Sequence, residues 1–196
     1  MSCNHETIFL EMKSNYEKQP YVTVPNGAGA CVTGWTTVVD QLRKAIAARA
    51  SSRTVLTVEC YTGVHVAEVT EALQALNPPR VIQSSEAFLA PEVLDEKVGT
   101  FNGGDDPVFG IMNHLRIEDF IDADKVTSLA AAIEQVESGL VVVIGNGASL
   151  IHPGDILVYA DLARWEAQLR MRRDEISNMG VANHDLKWSL QYKRAY

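Results

Sequence analysis

Apolar positions along the chain fall into short continuous runs and into longer runs with helical spacing. Continuous runs predict strands at Thr54 to Cys60, Arg80 to Gln83, Leu140 to Ile144 and Asp155 to Ala160. Helical spacing predicts helices over about 35–50, over the segment from Val69 to Leu76, over about 124–137 and after Asp161. Because strands alternate with helices, we expect an α/β domain, a three-layer α/β/α fold with a mainly parallel sheet.

The same pattern predicts how the chain is organised around this core. Residues 1–52 are expected to supply a strand at Tyr21 to Pro25 and the first helix, both packed on a core formed by residues 53–176. Asp124 and Asp161 are expected to be helix N-caps. Residues 177–196 are interpreted as a tail from which a further domain could continue. One compact domain is expected overall.

Composition narrows the classes of function. The 196 residues are 46% hydrophobic, which is enough for one globular core, and 25 acidic against 17 basic side chains give a formal net charge of −8. That sign argues against a general nucleic-acid or anionic-membrane surface, so we expect neither partner. Residues 161–196 hold seven Lys and Arg against five Asp and Glu, which leaves −10 on residues 1–160. The end of the chain is therefore locally basic.

The cysteines and the first residues of the chain indicate the cellular compartment in which the protein is expected. Cys3, Cys31 and Cys60 form no CxxC pair and do not suggest a disulfide framework. The first twenty residues are polar, and no apolar run approaches the length of a signal peptide or a membrane span. We therefore expect a soluble protein in a reducing, cytoplasmic setting.

Three segments are predicted to lie where ligands bind in open α/β sheets, beyond the carboxyl ends of the strands. They are residues 59–65 after the first core strand, residues 84–86 after the second, and residues 145–149 after the run that ends at Ile144. If one pocket exists, these loops should line it.

The order of these segments resembles the P-loop nucleoside kinases of the uridine kinase kind. VLTVECYTGVHVAEVTEAL stands where that family has a strand, phosphate loop and helix, and VIQSSEAFL where it has its second strand and substrate-site turn. LVVVIGNGASLI takes the place of the Walker B strand, and DILVYADLARWEAQLRMRRDE that of the late strand and the helix leading to an arginine-bearing lid. The resemblance covers roughly Arg53 to Glu175 and implies a P-loop kinase-like fold.

The phosphate loop departs from the family pattern. A Walker A loop, G-x-x-x-x-G-K-S/T, cradles phosphates with backbone N–H groups, while its Lys and hydroxyl hold the terminal phosphates and Mg²⁺. This chain has Glu59, Val64, His65 and Val66 at the four defining positions. The loop is therefore degenerate. ATP and Mg²⁺ remain conceivable cofactors, but the sequence requires none.

A second resemblance is to a kinase-like segment of bacterial proteins of the class I mannose-6-phosphate isomerase group. It rests on ECYTGV, on GDILVYADLARWEAQLRMRRDEISNMGVAN and on the terminal YKRAY. It implies an accessory domain that precedes a metal-dependent isomerase, whose zinc-ligand pattern this chain lacks. The five histidines show no metal-ligand spacing, so no metal site is predicted.

Each candidate ligand-binding residue also has a structural interpretation. Arg170 and Arg173 could clamp an anion or could form a solvated helix end, with Glu166 paired to Arg170. His65 could contact an anion when protonated, or have no role. Glu59 must find hydrogen bonds at the end of its strand, from a ligand or from the loop. The full candidate set is Glu59, Thr62, Gly63, His65, Glu86, Arg170 and Arg173.

Three functions remain open. The first hypothesis is a degenerate nucleoside-kinase-like domain that binds a small phosphorylated ligand, a nucleotide or a sugar phosphate, without ordinary P-loop transfer. The second is a structural or regulatory module that forms an interface with a fused isomerase domain or with its own homodimer. The third is a phosphotransferase with a nonstandard phosphate loop.

Overall fold

The computed structural model describes residues 16, 20–103, 106, 111–178 and 180–195. The chain divides into two compact units, residues 1–33 and 34–196. In the first unit the expected strand at Tyr21 to Pro25 is wrong. Tyr21 and Val22 are exposed, and the segment turns where the Gly27 N–H donates to the Val24 carbonyl (3.1 Å). A strand-forming composition does not suffice here, because the segment has no ladder partner among the described residues.

The second unit is built on a four-stranded, all-parallel sheet with the order β2-β3-β1-β4. The strands are β1 (Arg53–Cys60), β2 (Arg80–Gln83), β3 (Gly139–Gly145) and β4 (Ile156–Ala160). The four strands predicted for the core are confirmed to within a residue at each end. β1 and β3 are central and nearly continuous in apolar character because both of their faces are buried.

Seven α-helices surround the sheet in the described part of the chain: α1 (Trp35–Ala48), α2 (Val66–Leu73), α3 (Pro91–Gly99), α4 (Ala123–Glu134), α5 (Ala148–Ile151), α6 (Arg164–Arg172) and α7 (Trp188–Ala195). Short 3-10 turns lie at Gln74–Leu76, Ser84–Ala87 and Ile117–Phe120. The α/β class is therefore confirmed. No described helix has the length and apolar character needed to cross a membrane.

The two faces of the sheet carry separate apolar cores. On one face, Leu56, Val58 and Ile144 pack against α2 and α1. On the other face, Val55 and Val143 pack against α4 and α5. Helices therefore cover both faces, an arrangement compatible with three α/β/α layers.

Both predicted N-caps are wrong by a few residues. α4 is capped by Asp122, whose Oδ1 accepts from the N–H groups of Asp124 (2.9 Å) and Lys125 (3.2 Å). α6 begins after Ala163, and Asp161 accepts instead from the adjacent Leu162 N–H. An Asp side chain can serve a turn as well as a helix start, so residue type alone does not place the cap.

The face that α6 buries also differs from expectation. The large apolar residues of the segment, Leu162, Trp165 and Leu169, predict an inward face at these positions, but Trp165 is 60% exposed. The small Ala167 and the flexible Met171 are the fully buried residues of this helix. The close approach that Ala167 permits brings α6 against the loop after β1.

Candidate functional site

The chain leaves the two central strands toward opposite faces of the sheet. After β1 it enters α2, which packs with Leu56 and Val58, and after β3 it enters α5, which packs with Val55 and Val143. β1 and β3 are hydrogen-bonded neighbours. Where adjacent parallel strands send their connections apart, a crevice opens beyond their carboxyl ends. The predicted ligand-binding loops 59–65 and 145–149 form this crevice.

Glu59, at the end of β1, ties the two loops together. One carboxylate oxygen accepts from the Gly147 N–H (2.6 Å), and the other accepts from the Ser149 N–H (2.9 Å) and hydroxyl (2.8 Å). A half-buried carboxylate is stabilised by such charge-assisted bonds. Nearby, the Asn146 amide donates to the Cys60 carbonyl (2.7 Å). The hydrogen bonds that Glu59 needs are thus supplied by the protein itself.

The loop after β1 is a tight turn held by its own backbone. The Tyr61 N–H donates to the Ala160 carbonyl (2.9 Å), and the Val64 N–H donates to the Tyr61 carbonyl (3.1 Å). The Val66 N–H donates to the Val64 carbonyl (3.0 Å). These three N–H groups therefore do not converge on a phosphate position.

A cleft of about 410 Å³ lies at the carboxyl ends of β1, β3 and β4. Glu59 and Thr62 line it, and the other five candidate residues do not. Its lining combines apolar and aromatic side chains with amide, hydroxyl and guanidinium groups and the Glu59 carboxylate. The further lining residues are Cys60, Tyr61, Asn113, Leu115, Arg116, Ile117, Phe120, Asn146, Gly147, Tyr159 and Arg194.

Arg170 and Arg173 are both engaged by carboxylates of their own chain. Arg173 binds both oxygens of Glu175 (2.6 and 3.0 Å) and one oxygen of Glu166 (3.1 Å), to which Arg170 Nε also donates (3.2 Å). Hydrogen bonds from Arg173 hold the pKa of Glu166 and of Glu175 below the ordinary value of 4.5. His65 Nε2 lies 3.8 Å from Glu175. The expected anion clamp is thus occupied internally.

Gly63 and Arg170 join this charged group to the loop after β1. Arg170 Nη1 donates to the Gly63 carbonyl (2.8 Å). Gly63 has a φ of +95°, and a Cβ at this position would lie 3.0 Å from the Cβ of Ala167. The glycine therefore permits both the left-handed backbone and the close approach of α6. The structure brings Gly63, His65, Arg170 and Arg173 into one cluster, outside the lining of the cleft.

Glu86 lies apart from the other candidates. It is exposed, and its side chain accepts from the Gln83 N–H (3.0 Å) at the start of the Ser84–Ala87 turn. Ser84 and Ser85, just before it, line a second cavity of about 360 Å³ beyond β2 and β3. Glu86 does not line that cavity, and its observed contact is that of a cap.

Arg194, on α7, is a cleft residue that lies outside the predicted ligand-binding loops, as do Arg116 and Tyr159. Its side chain is 6% exposed, and Nη1 donates to Asp95 on α3 (2.6 Å). Its Nε and Nη2 atoms are buried without a hydrogen-bond partner. The sequence signal for Arg194 is the excess of basic residues after Asp161. The candidate set connects that excess with Arg170 and Arg173, which lie at the end of α6.

Two further side-chain chemistries are constrained by burial and placement. Burial raises the pKa of the Cys60 thiol to about 11, which keeps it protonated near neutral pH.

Among the described residues, no group of three or more His, Cys, Asp and Glu side chains is placed to hold a metal ion. The cleft thus presents two guanidinium groups, Arg116 and Arg194, together with neutral hydrogen-bonding groups and the Glu59 carboxylate, whose oxygens accept hydrogen bonds from the Gly147 and Ser149 loop.

One protein family matches most of the chain. The family model described as "Domain of unknown function (DUF8485)" matches residues 34–196, so the chain belongs to the DUF8485 family. The matched range is the same as the second compact unit of the structure. No curated protein and no solved structure matches the chain.

Proposed function

We propose that this DUF8485 domain binds a small phosphorylated ligand, a nucleotide or a sugar phosphate, in the cleft at the carboxyl ends of β1, β3 and β4. The observation that carries the proposal is Arg194, a buried guanidinium at the cleft wall with two nitrogen atoms that lack partners. A buried donor without a partner is costly, and a phosphate oxygen is a strong acceptor of guanidinium hydrogen bonds.

The composition of the cleft supports an anionic ligand of modest size. Arg116 adds an exposed guanidinium to the lining, and Thr62 and Asn146 add polar groups. Tyr61 and Tyr159 supply aromatic surface against which a sugar or base ring can pack. A volume of about 410 Å³ lies within the usual range for small-molecule sites.

The fold-level resemblance to P-loop nucleoside kinases is part of the same proposal. The segments that resemble the phosphate-loop strand and the Walker B strand are the adjacent central strands β1 and β3. In the loop after β1, however, the N–H groups of Tyr61, Val64 and Val66 donate to carbonyl oxygens of the same chain. Since it also lacks the lysine and the metal-binding hydroxyl, we propose ligand binding without ordinary P-loop phosphoryl transfer.

Calorimetric titration tests the proposal with inorganic phosphate, UMP, ATP and mannose 6-phosphate, each with and without Mg²⁺. We expect heat with at least one of them, and about tenfold or greater weakening in Arg194→Gln, because a charge-assisted hydrogen bond is lost. Arg80→Gln is the matched control, since Arg80 is exposed at the opposite end of β2. Absence of heat with every probe would refute the proposal. ATP consumption in the same samples would favour a surviving phosphotransferase instead.

A second candidate function, an interaction module, is favoured by the edge strand β4. Leu157 and Tyr159 are 60% and 59% exposed on one face of this strand, and nearby in sequence Trp165 is also exposed. Exposed apolar residues on an edge strand are suited to an interface with a second copy or a fused domain. Sedimentation velocity over a range of concentrations would show association if the chain forms a homodimer.

A further inference from the structure

Helix α7 has polar side chains at its most buried positions. Its fully described buried residues, Ser189, Gln191 and Arg194, are all polar. Four of their side-chain atoms are buried without partners: Ser189 Oγ, Gln191 Oε1, and Arg194 Nε and Nη2. The one other such atom among the described residues is Oδ1 of Asn102, whose carbonyl accepts from the α7 residue Lys193 (2.8 Å). Unpaired polar groups are thus concentrated beneath this helix.

Polar and cation–π contacts hold α7 in place. The Gln191 amide donates to the carbonyls of His184 and Leu186 (both 3.0 Å), and the Asn178 amide donates to the Gln191 carbonyl (2.6 Å). From α6, the Arg172 guanidinium lies 4.2 Å from the Trp188 ring centroid. Trp188 and Leu190 on α7 are half-buried and add apolar contact to these polar interactions.

Arg194 connects the docking of α7 to the cleft. A guanidinium has five N–H donors, and Asp95 accepts one of them, at Nη1. The three N–H groups on Nε and Nη2 have no acceptor. A phosphate group bound in the cleft could accept hydrogen bonds from Arg194 Nε and Nη2 only while α7 is docked, because α7 carries the arginine.

We propose that α7 is a closing helix whose docking is coupled to anion binding in the cleft, so that each stabilises the other. This inference rests on the proposed function, since it assigns a regulating element to the same site. A bound anion would favour the docked helix by its differential affinity for the docked state. The reciprocal effect must also hold, so any change that undocks α7 weakens anion binding.

Hydrogen–deuterium exchange of the full chain tests the first half of the coupling. The probes are inorganic phosphate, UMP and mannose 6-phosphate, each at ten times its calorimetric Kd, with sodium chloride at matched ionic strength as the control. If docking and binding are fully coupled, exchange of the α7 amides slows by up to about elevenfold. Unchanged α7 exchange in a protein saturated with a phosphate probe would overturn the inference and leave the proposed function standing.

A matched pair of tryptophan variants tests the reciprocal half. Trp188 lies on α7, does not line the cleft and stacks on Arg172, whereas the exposed Trp165 contacts the same arginine from α6 at 5.4 Å. Trp188→Ala should weaken binding of the same probe about threefold or more, because α7 is docked in a smaller fraction of the molecules. Trp165→Ala should leave the affinity unchanged. Unchanged exchange in the β1 and β3 amides verifies that each variant is folded.

The outcomes separate the two proposals. Equal affinities in both variants, with the β strands protected, would overturn the coupling while anion binding remains. If Trp188→Ala does not fold, Arg194→Gln decides the question in its place, with the probe at ten times the Kd of that variant: loss of the phosphate effect on α7 exchange supports the coupling, and an undiminished effect overturns it. No binding of any probe to the unmodified chain would remove the proposed function, and the coupling with it.

Discussion

Replacing Glu59 by Gln should destabilise the domain, because this carboxylate joins the loops of the two central strands. It accepts three hydrogen bonds, from the Gly147 N–H, the Ser149 N–H and the Ser149 hydroxyl. A glutamine keeps one acceptor oxygen and places an amide NH₂ against a backbone N–H group. Hydrogen bonds to a charged group contribute about 1.5–3 kcal/mol each, and partial exposure reduces that figure. We expect a loss of about 1.5–3 kcal/mol in the free energy of unfolding.

Urea denaturation followed by circular dichroism measures this loss, with an unchanged m-value expected because the native fold is retained. Glu134→Gln is the control, since Glu134 forms one ion pair, with Arg53 (2.9 Å), and its side chain is 61% exposed. Exposed pairs of this kind contribute about 0–1 kcal/mol. A loss in Glu59→Gln no larger than the loss in Glu134→Gln would refute the structural role of Glu59.

Two further changes test the neighbouring loop and its charged support. Gly63→Ala should lower the melting temperature, because the left-handed φ of +95° and the 3.0 Å contact with α6 both oppose a Cβ, whereas Gly99→Ala meets no atom within 4 Å and should not destabilise. Arg173 lowers the pKa of Glu166 and Glu175, so their contribution to stability is complete above about pH 4.5 and is lost as pH falls through the lowered values. Thermal unfolding between pH 6 and pH 3 should therefore show a shallower acid loss in Arg173→Gln, and identical profiles would contradict this account.

The central sheet could be predicted because continuous apolar runs indicate strands that are buried on both faces. The runs at Thr54 to Cys60 and at Leu140 to Ile144 are apolar on both faces, as strands between two helical layers must be. The short run at Arg80 to Gln83 was placed correctly as well. Strand ends in turn located the loops, which is why Glu59 and Thr62 were found among the cleft residues.

The candidate arginines show where local pattern stops being informative. Arg170 and Arg173 had the right chemistry for an anion, but whether an arginine is available depends on acidic neighbours in space. Glu175 and Glu166 occupy both guanidinium groups in the folded domain. The pairing of Glu166 with Arg170 was one of the two interpretations of the sequence, and it describes the observed contacts.

Helix α7 was missed for a related reason. The buried side of a helix is normally recognised by apolar residues at helical spacing, but α7 buries Ser189, Gln191 and Arg194. A polar buried face has the same pattern as a solvated segment. The residues 177–196 were therefore interpreted as a tail, although they supply the guanidinium at the cleft wall.

The contact between Glu59 and the β3 loop has a consequence for how such a domain could be redesigned. A carboxylate fixed at the end of a strand is an intramolecular competitor, with an effective concentration far above that of free phosphate in solution. The N–H groups of Gly147 and Ser149 are in that sense already saturated. A designer who adds a lysine to the neighbouring loop would gain a positive charge without gaining those amides as phosphate ligands. The Glu59 carboxylate would first have to be displaced, and the hydrogen bonds that join the end of β1 to the loop after β3 would then be lost.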